Sequence, residues 1–171
     1  MRIPDSRVWW AAAGSLLFFV LIPGTVVGWV PYWLTDWRMQ APPLALPALR
    51  IVGAVLVVLG LLGLVDSTIR FAFVGLGTPA PIAPPRHLVV SGPYRHVRNP
   101  MYVAILVILV GQALVLGTVV LLRYAVMVWV LFHAFVYLYE EPDLAAKFGP
   151  EYETYRKHVG RWWPRVRPWN G

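Results

Sequence analysis

The chain has no cysteine among its 171 residues, which excludes disulfides, thiolate metal sites and a cysteine nucleophile together. Charge is scarce as well: 13% of residues are charged against 58% hydrophobic, a balance far from that of a soluble domain of this length. The composition reads as an integral membrane protein. Acidic residues are the scarcer sign, eight against fifteen Lys and Arg, for a formal charge of +7. Those cations flank apolar runs instead of forming a surface stripe, so they fit anionic lipid and membrane orientation and argue against a nucleic-acid partner. The chain also lacks a P-loop, a dinucleotide glycine fingerprint, a G-x-S-x-G elbow and any repeated pairing of His with carboxylate at ligand spacing, so no metal is expected.

What the sequence has in abundance is apolar length. A helix needs roughly 20 residues to cross the hydrocarbon, and four segments approach or exceed that: Val8 to Val30, Pro47 to Val74, Met101 to Leu116, and Thr118 to Tyr139. The expected fold is an all-α, polytopic transmembrane bundle of four, or five, membrane helices, with a cytosolic cofactor-binding loop and short C-terminal helices. The first run is too long for a signal-peptide core and is read as a retained span. The third and fourth are separated only by Gly117 and its neighbours and predict a tight hairpin. Gly53, Gly60 and Gly63 allow close helix approach, within one chain or between two.

Arg2 and Arg7 precede the first span, Arg70, Arg86, Arg95 and Arg98 fall between the second and third, and the tail carries Lys147, Arg156, Lys157, Arg161, Arg165 and Arg167. The positive-inside rule then places both termini and the middle loop in the cytoplasm. Trp29, Tyr32, Trp33 and Trp37 on one side, and Trp9, Trp10, Trp162, Trp163 and Trp169 on the other, are expected as interfacial anchors. Pro79, Pro81, Pro84 and Pro85 make the start of the middle loop a stiff, extended strap. One domain, 1–171, is expected, with N-terminal membrane helices over 1–76 and a cofactor-binding part over 77–171.

Two polar places stand out. The stretch SGPYRHVRNPMY, Ser91 to Tyr102, crowds Arg95, His96 and Arg98 at the mouth of the third span, and Glu140 and Glu141 sit side by side at the end of the fourth. Ionisable groups at membrane depth are costly and mark function. Arg95 or Arg98 is expected to pair with Glu140 or Glu141, and the tyrosines nearby (Tyr94, Tyr102, Tyr137, Tyr139, Tyr152 and Tyr155) suit a zwitterionic ligand with an aromatic base. His133, two turns before Glu140, is expected to hydrogen-bond between helices. Gly149-Pro150 should end one short helix and start another, whose Tyr152, Tyr155 and Val159 share a face.

The segments RHLVVSGPYRHVRNPMY and EEPDLAAKFGPEYETYRKHVGRWWPR together resemble the isoprenylcysteine carboxyl methyltransferase family, which is related to the phospholipid N-methyltransferases. The resemblance covers Thr78 to Pro168. It implies an S-adenosylmethionine-dependent enzyme that methylates a membrane lipid or lipidated small-molecule acceptor at the cytosolic face. The family's cofactor segment falls on Arg86, His87, Leu88 and Val89, with Tyr94 beyond, its Arg-His-Pro-x-Tyr signature on Arg98, Asn99, Pro100, Met101 and Tyr102, and its acidic pair on Glu140 and Glu141. By this resemblance Glu140 binds the cofactor's ribose hydroxyls or amino group, Arg98 and the loop amides its carboxylate, and Glu141 or His96 takes the proton of an amine acceptor. Asn99 stands where the signature has histidine, and Val136 where the prenylcysteine branch has an arginine for the substrate carboxylate. The expected activity is of the isoprenylcysteine type, with a phospholipid N-methyltransferase as the alternative; a nicotinamide-dependent sterol-type reductase or a non-catalytic membrane scaffold are the readings from other classes.

Overall fold

The structure, a computed structural model, describes residues 21–41, 46–75 and 87–170. Most of the first expected span, the two N-terminal tryptophans, Arg86 and the proline strap lie outside them. Among the described residues the fold is all-α, with no strand. A π-helical turn, Thr25–Trp29, leads into α1, Val30–Thr35; α2 is Ala48–Val74; a 3-10 turn, Gly92–Arg95, precedes α3, Pro100–Leu116, and α4, Val119–Phe135. A second π turn, Val136–Glu140, runs into α5, Glu141–Phe148, and α6, Pro150–His158, follows.

Two helical stretches are long and apolar enough to cross a membrane, Ala48–Val74 and Val119–Phe148, and only 17% and 22% of their most apolar windows are buried. Core helices of a soluble protein would be mostly covered, and here Ile51, Leu62, Phe73, Val126, Leu131 and Leu138 face outward. Such faces need lipid as their solvent, which places the protein in a membrane. The shorter α3 is the inner wall: Ile105, Ile108, Leu109, Ala113 and Leu116 are all buried.

Glycine sets how closely α2 approaches α3. A Cβ on Gly53 would lie 2.6 Å from the Gly111 carbonyl oxygen, so the two backbones touch where neither carries a side chain, and one on Gly60 would lie 2.6 Å from Ile108 Cγ1, so Gly60 makes room for that side chain. The contact is within the chain; Gly63 is looser, with Ala104 Cβ at 3.8 Å. Gly117, at φ 73°, turns α3 back into α4, and Thr118 caps α4 by accepting from the Val120 amide at 3.3 Å, as the hairpin reading anticipates.

The two π turns share a cause. Each ends two residues before a proline, Pro31 or Pro142, and a proline cannot donate to the carbonyl four residues back. Widening to a π turn lets the helix continue past it. In lipid the freed carbonyls still require donors. Gln112 Nε2 donates to the Val27 oxygen at 2.6 Å and the Tyr124 hydroxyl to the Val26 oxygen at 3.2 Å.

This device corrects two expected boundaries. The first helix runs on to Thr35 instead of stopping at Val30, and the fourth continues through Tyr139 to Phe148. Glu140 and Glu141 therefore lie inside a continuous helix and not at its end.

Beyond it, Gly149, at φ 50°, breaks the chain and Pro150 starts α6, as expected. Tyr152, Tyr155 and Val159 share one buried face, packed against Leu88, Val90, Leu144 and Trp169. The last residues then run beside the middle loop: the Arg98 amide donates to the Gly160 oxygen at 2.9 Å, that of Arg165 to His96 at 2.9 Å, and that of Trp169 to Arg95 at 3.0 Å. Trp29, Trp33 and Trp163 are exposed, as anchors should be, whereas Trp162 and Trp169 are half-buried in contacts of their own.

A valine at Gly111 should push α2 from α3 and cost about 1–3 kcal/mol, read as a lower thermal midpoint in detergent. Gly63→Ala should leave the midpoint in place; equal losses from the two would contradict the packing described.

Candidate functional site

The site grows from one ion cluster. Glu141, with only 10% of its side chain exposed, takes Arg161 on both oxygens, Nε at 2.7 Å and Nη2 at 2.6 Å, and Arg98 Nη1 on Oε1 at 3.1 Å. Arg98 Nη1 also donates to the Tyr152 hydroxyl at 3.2 Å. Burial and the charge of Glu141 push the Tyr152 phenol up, so its oxygen stays neutral and free to accept. Hydrogen bonding to Glu141 likewise raises Arg161. The expected pairing of Arg98 with the acidic pair is present; Arg95 instead gives its Nε to the Trp169 oxygen at 2.7 Å.

Glu140, one residue earlier, has a different setting. Its Oε2 accepts from the Tyr102 hydroxyl at 3.0 Å. Tyr102 packs on Phe132 at 4.5 Å between ring centroids and lies 6.4 Å from Trp162. The Trp162 indole N–H donates to His133 Nδ1 at 3.1 Å, so a neutral His133 carries its proton on Nε2. His133 thus bonds the tail, where a neighbouring helix was expected. Tyr94 is buried between the two sides of the molecule: its hydroxyl donates to the Ser67 oxygen at 3.4 Å, and its own carbonyl accepts from the Tyr155 hydroxyl at 2.6 Å. Burial, and after it the charges of Glu140, Tyr155 and Asp66, pushes its phenol up.

The structure therefore gathers Tyr94, Arg98, Tyr102, Glu140 and Glu141 at one level. Other expected site residues turn elsewhere. Asn99 is buried and donates through Nδ2 to the Arg161 oxygen at 3.1 Å, which ties down the tail. Met101 places its sulfur 3.6 Å from the Thr68 hydroxyl, whose proton goes to the Leu64 oxygen at 2.8 Å, beneath α2. Pro100 is buried as the first residue of α3. His96 Nδ1 contacts the Arg165 carbonyl at 2.8 Å; an oxygen without a proton can only accept, so Nδ1 carries the hydrogen. His87 is exposed, Leu88 packs on the α6 face and Val89 is buried.

Sequence reasoning did not single out Arg161. It is one of six cations in the tail, and what distinguishes it is the path of the last residues along the loop. The neighbouring Trp162 and Trp163 were the available signal that this part of the tail sits against the membrane.

A sulfonium cofactor of the kind the resemblance implies needs an anionic hydrogen-bond partner, a cation for its carboxylate and aromatic faces. The residues present fit. Glu140 and the rings of Tyr102, Phe132 and Trp162 supply the first and last, and Arg98 Nε is buried without a partner among the described residues. Over the outer face of α3, a groove of about 450 Å³ between Leu56 and Trp129 ends under Trp162 and Trp163.

A family model described as phospholipid methyltransferase matches residues 48–151, more than half of the chain. No curated protein and no solved structure matches.

Replacing Glu141 by Gln leaves Arg98 and Arg161 facing each other without a carboxylate, and breaking a buried pair in this way costs about 3–5 kcal/mol. Limited proteolysis should then cut between Gly149 and Asn170 in the variant and spare the wild type. Equal protection in both would show that the cluster does not hold the tail.

Proposed function

The chain belongs to the phospholipid methyltransferase family, and from that premise we propose that it transfers a methyl group from S-adenosylmethionine to the amine head of a membrane phospholipid. The observation that carries the reading is Glu140: a carboxylate bonded to Tyr102 at 3.0 Å, beside an aromatic wall and one residue from the arginine-spanned Glu141. The family match favours the phospholipid acceptor over the isoprenylcysteine one. Val136 supports the same choice, since it is wholly buried where the prenylcysteine branch has its arginine.

In this reading the chain forms one membrane domain with both termini and the site on the cytoplasmic side, as its Lys and Arg distribution favours. The cofactor supplies an electrophilic methyl group on a cationic sulfur. Glu140 holds its hydroxyl or amino groups, Arg98 Nε its carboxylate, and Tyr102, Phe132 and Trp162 pack the cationic centre and keep water out. Leu88, Val89 and Tyr94 close the side toward the loop. The acceptor comes from the bilayer along the groove that Trp129, Trp162 and Trp163 line.

An amine must shed a proton to become a nucleophile. Glu141, engaged by two guanidiniums, positions Arg98, and Glu140 is the carboxylate at the aromatic wall to which the proton goes. The remaining requirement is alignment of donor, methyl carbon and acceptor, which rigid packing supplies.

Calorimetric titration of the detergent-held chain with S-adenosylhomocysteine tests this. Binding should be micromolar in the wild type and about tenfold or more weaker in Glu140→Gln and Arg98→Gln, as expected for a lost hydrogen bond to a charged group. Turnover with a phosphatidylethanolamine acceptor should fall further than binding in Glu140→Gln. A folded wild type that does not bind the ligand would sink the reading.

A further inference from the structure

Between α3 and α2, next to the groove and sharing Leu56, Val103 and Val107 with it, lies the first of two cavities that meet at Gly92 and Arg95. The first, about 790 Å³, is walled by Leu59, Gly60, Gly63, Ala104 and Val107, and reaches Asp66, Ser67 and His96 at the end nearest the turn. The second, about 780 Å³, continues from there and is lined by Arg70, Ser91, Arg95, Glu151 and Thr154. One chamber is thus apolar and bounded by bilayer-facing helices, and the other is polar and lies against α6. Neither is lined by Tyr102, Glu140, Glu141 or Arg98.

The polar groups in these chambers have unspent capacity. Ser67 is wholly buried, and its hydroxyl has no partner among the described residues; Ser91 is half-buried, but its hydroxyl oxygen is covered and likewise without a partner among them. An unsatisfied buried hydroxyl costs about 1–3 kcal/mol, so hydroxyls of this kind on both chambers point to a ligand that supplies their partners. Arg70 gives Nε to both oxygens of Asp66, at 2.9 and 3.1 Å, and Arg95 gives Nε to the Trp169 carbonyl at 2.7 Å. A guanidinium has four more N–H donors at its two ends. Gly92, at φ 53°, lies directly against the Arg70 guanidinium, where a Cβ would collide with it, so Arg70 packs on the turn that carries Arg95.

The charges select the ligand further. Asp66 balances Arg70, which leaves Arg95 and the carboxylate of Glu151 as one cation and one anion in the polar chamber. That suits a head group that is itself zwitterionic. We propose that the joined chambers hold a zwitterionic phospholipid, with its phosphate between Arg70 and Arg95, its ammonium end toward Glu151 and one acyl chain between α2 and α3. Its head-group residues are distinct from those of the methyl-transfer site, whereas its chain chamber adjoins the acceptor groove through Leu56, Val103 and Val107. Tyr94, between Ser67 and the Glu140 side, is the partition.

Phosphatidylcholine is the probe because its quaternary nitrogen accepts no further methyl group; as it is also the fully methylated product of the proposed reaction, the variants below, and not the lipid alone, separate this site from the methyl-transfer site. The full chain, delipidated in detergent and offered phosphatidylcholine, phosphatidylglycerol or inorganic phosphate, is read by native mass spectrometry. The wild type should retain one phosphatidylcholine, with phosphatidylglycerol at least about tenfold weaker. Arg95→Gln, Arg70→Gln and Gly63→Leu should each weaken retention about tenfold, the last by filling the chain chamber. Glu140→Gln should leave it unchanged, so the result stands whether or not methyl transfer is demonstrated. Melting curves identify any variant that fails to fold, and the three substitutions act independently. Equal retention of both lipids would mean annular lipid only and overturn the proposal. So would displacement by inorganic phosphate alone, loss of the lipid in Glu140→Gln, or wild-type retention in all folded variants of Arg70, Arg95 and Gly63.

Discussion

A carboxylate gripped by two guanidiniums joins the distant parts of this chain. Glu141 belongs to the long apolar helix, Arg98 to the turn before α3, and Arg161 to the tail. Taking such charges out of water is expensive, and their mutual attraction roughly offsets that cost instead of adding much net stability. What the cluster contributes is uniqueness. A single carboxylate accepts both arginines only when helix, turn and tail occupy one arrangement, and the Arg98 bond to Tyr152 extends that constraint to α6. The backbone bonds between residues 95–98 and the tail, and the Asn99 side-chain bond to the Arg161 carbonyl, agree with the same register.

Glu141 can meet both arginines because the helix does not end before it. A regular α-helix would have lost a hydrogen bond at Pro142, and its acidic pair would have had to sit in a loop at the membrane boundary. The π turn at Val136–Glu140 lets the same cylinder continue, with Val136 wholly buried and Tyr137 to Tyr139 facing outward. Nearer the other end of the molecule the same solution appears before Pro31, where Gln112 and Tyr124 fill the vacated carbonyls. Buried polar side chains on otherwise apolar helices thus follow from a backbone requirement.

The sequence disclosed whatever depended on local chemistry. Gly149-Pro150 broke the tail because one residue favours positive φ and the next is suited to a first helical turn, and Tyr152, Tyr155 and Val159 shared a face because the helical period puts them there. Charge complementarity was enough to pair an arginine of the turn with the acidic residues, though not to choose Arg98 over Arg95 or Glu141 over Glu140. The end of the fourth helix was not legible, because hydropathy falls at Glu140 while backbone continuity is decided by the π turn. Arg161 was hidden among similar cations, and Asn99 occupied a motif position while its side chain turned to the tail. The last two depend on the tertiary path of residues 160–169, which no local pattern encodes.

Adjacency in sequence makes Glu140 and Glu141 look equivalent, and their surroundings make them opposites. Both arginines of the cluster converge on Glu141, so its charge is neutralised where it stands. The described partner of Glu140 is the Tyr102 hydroxyl, a neutral donor that brings no counter-charge. The site therefore runs from an excess of positive charge at Arg98 and Arg161 to a carboxyl group with no cation beside it at Glu140, with aromatic rings on that side. In surroundings of low dielectric such a gradient acts strongly. A cation, or the cationic end of a zwitterion, is drawn to Glu140 and the rings, and an anionic group to the free edge of Arg98. Holding Glu141 fixed is thus what allows Glu140 to remain available.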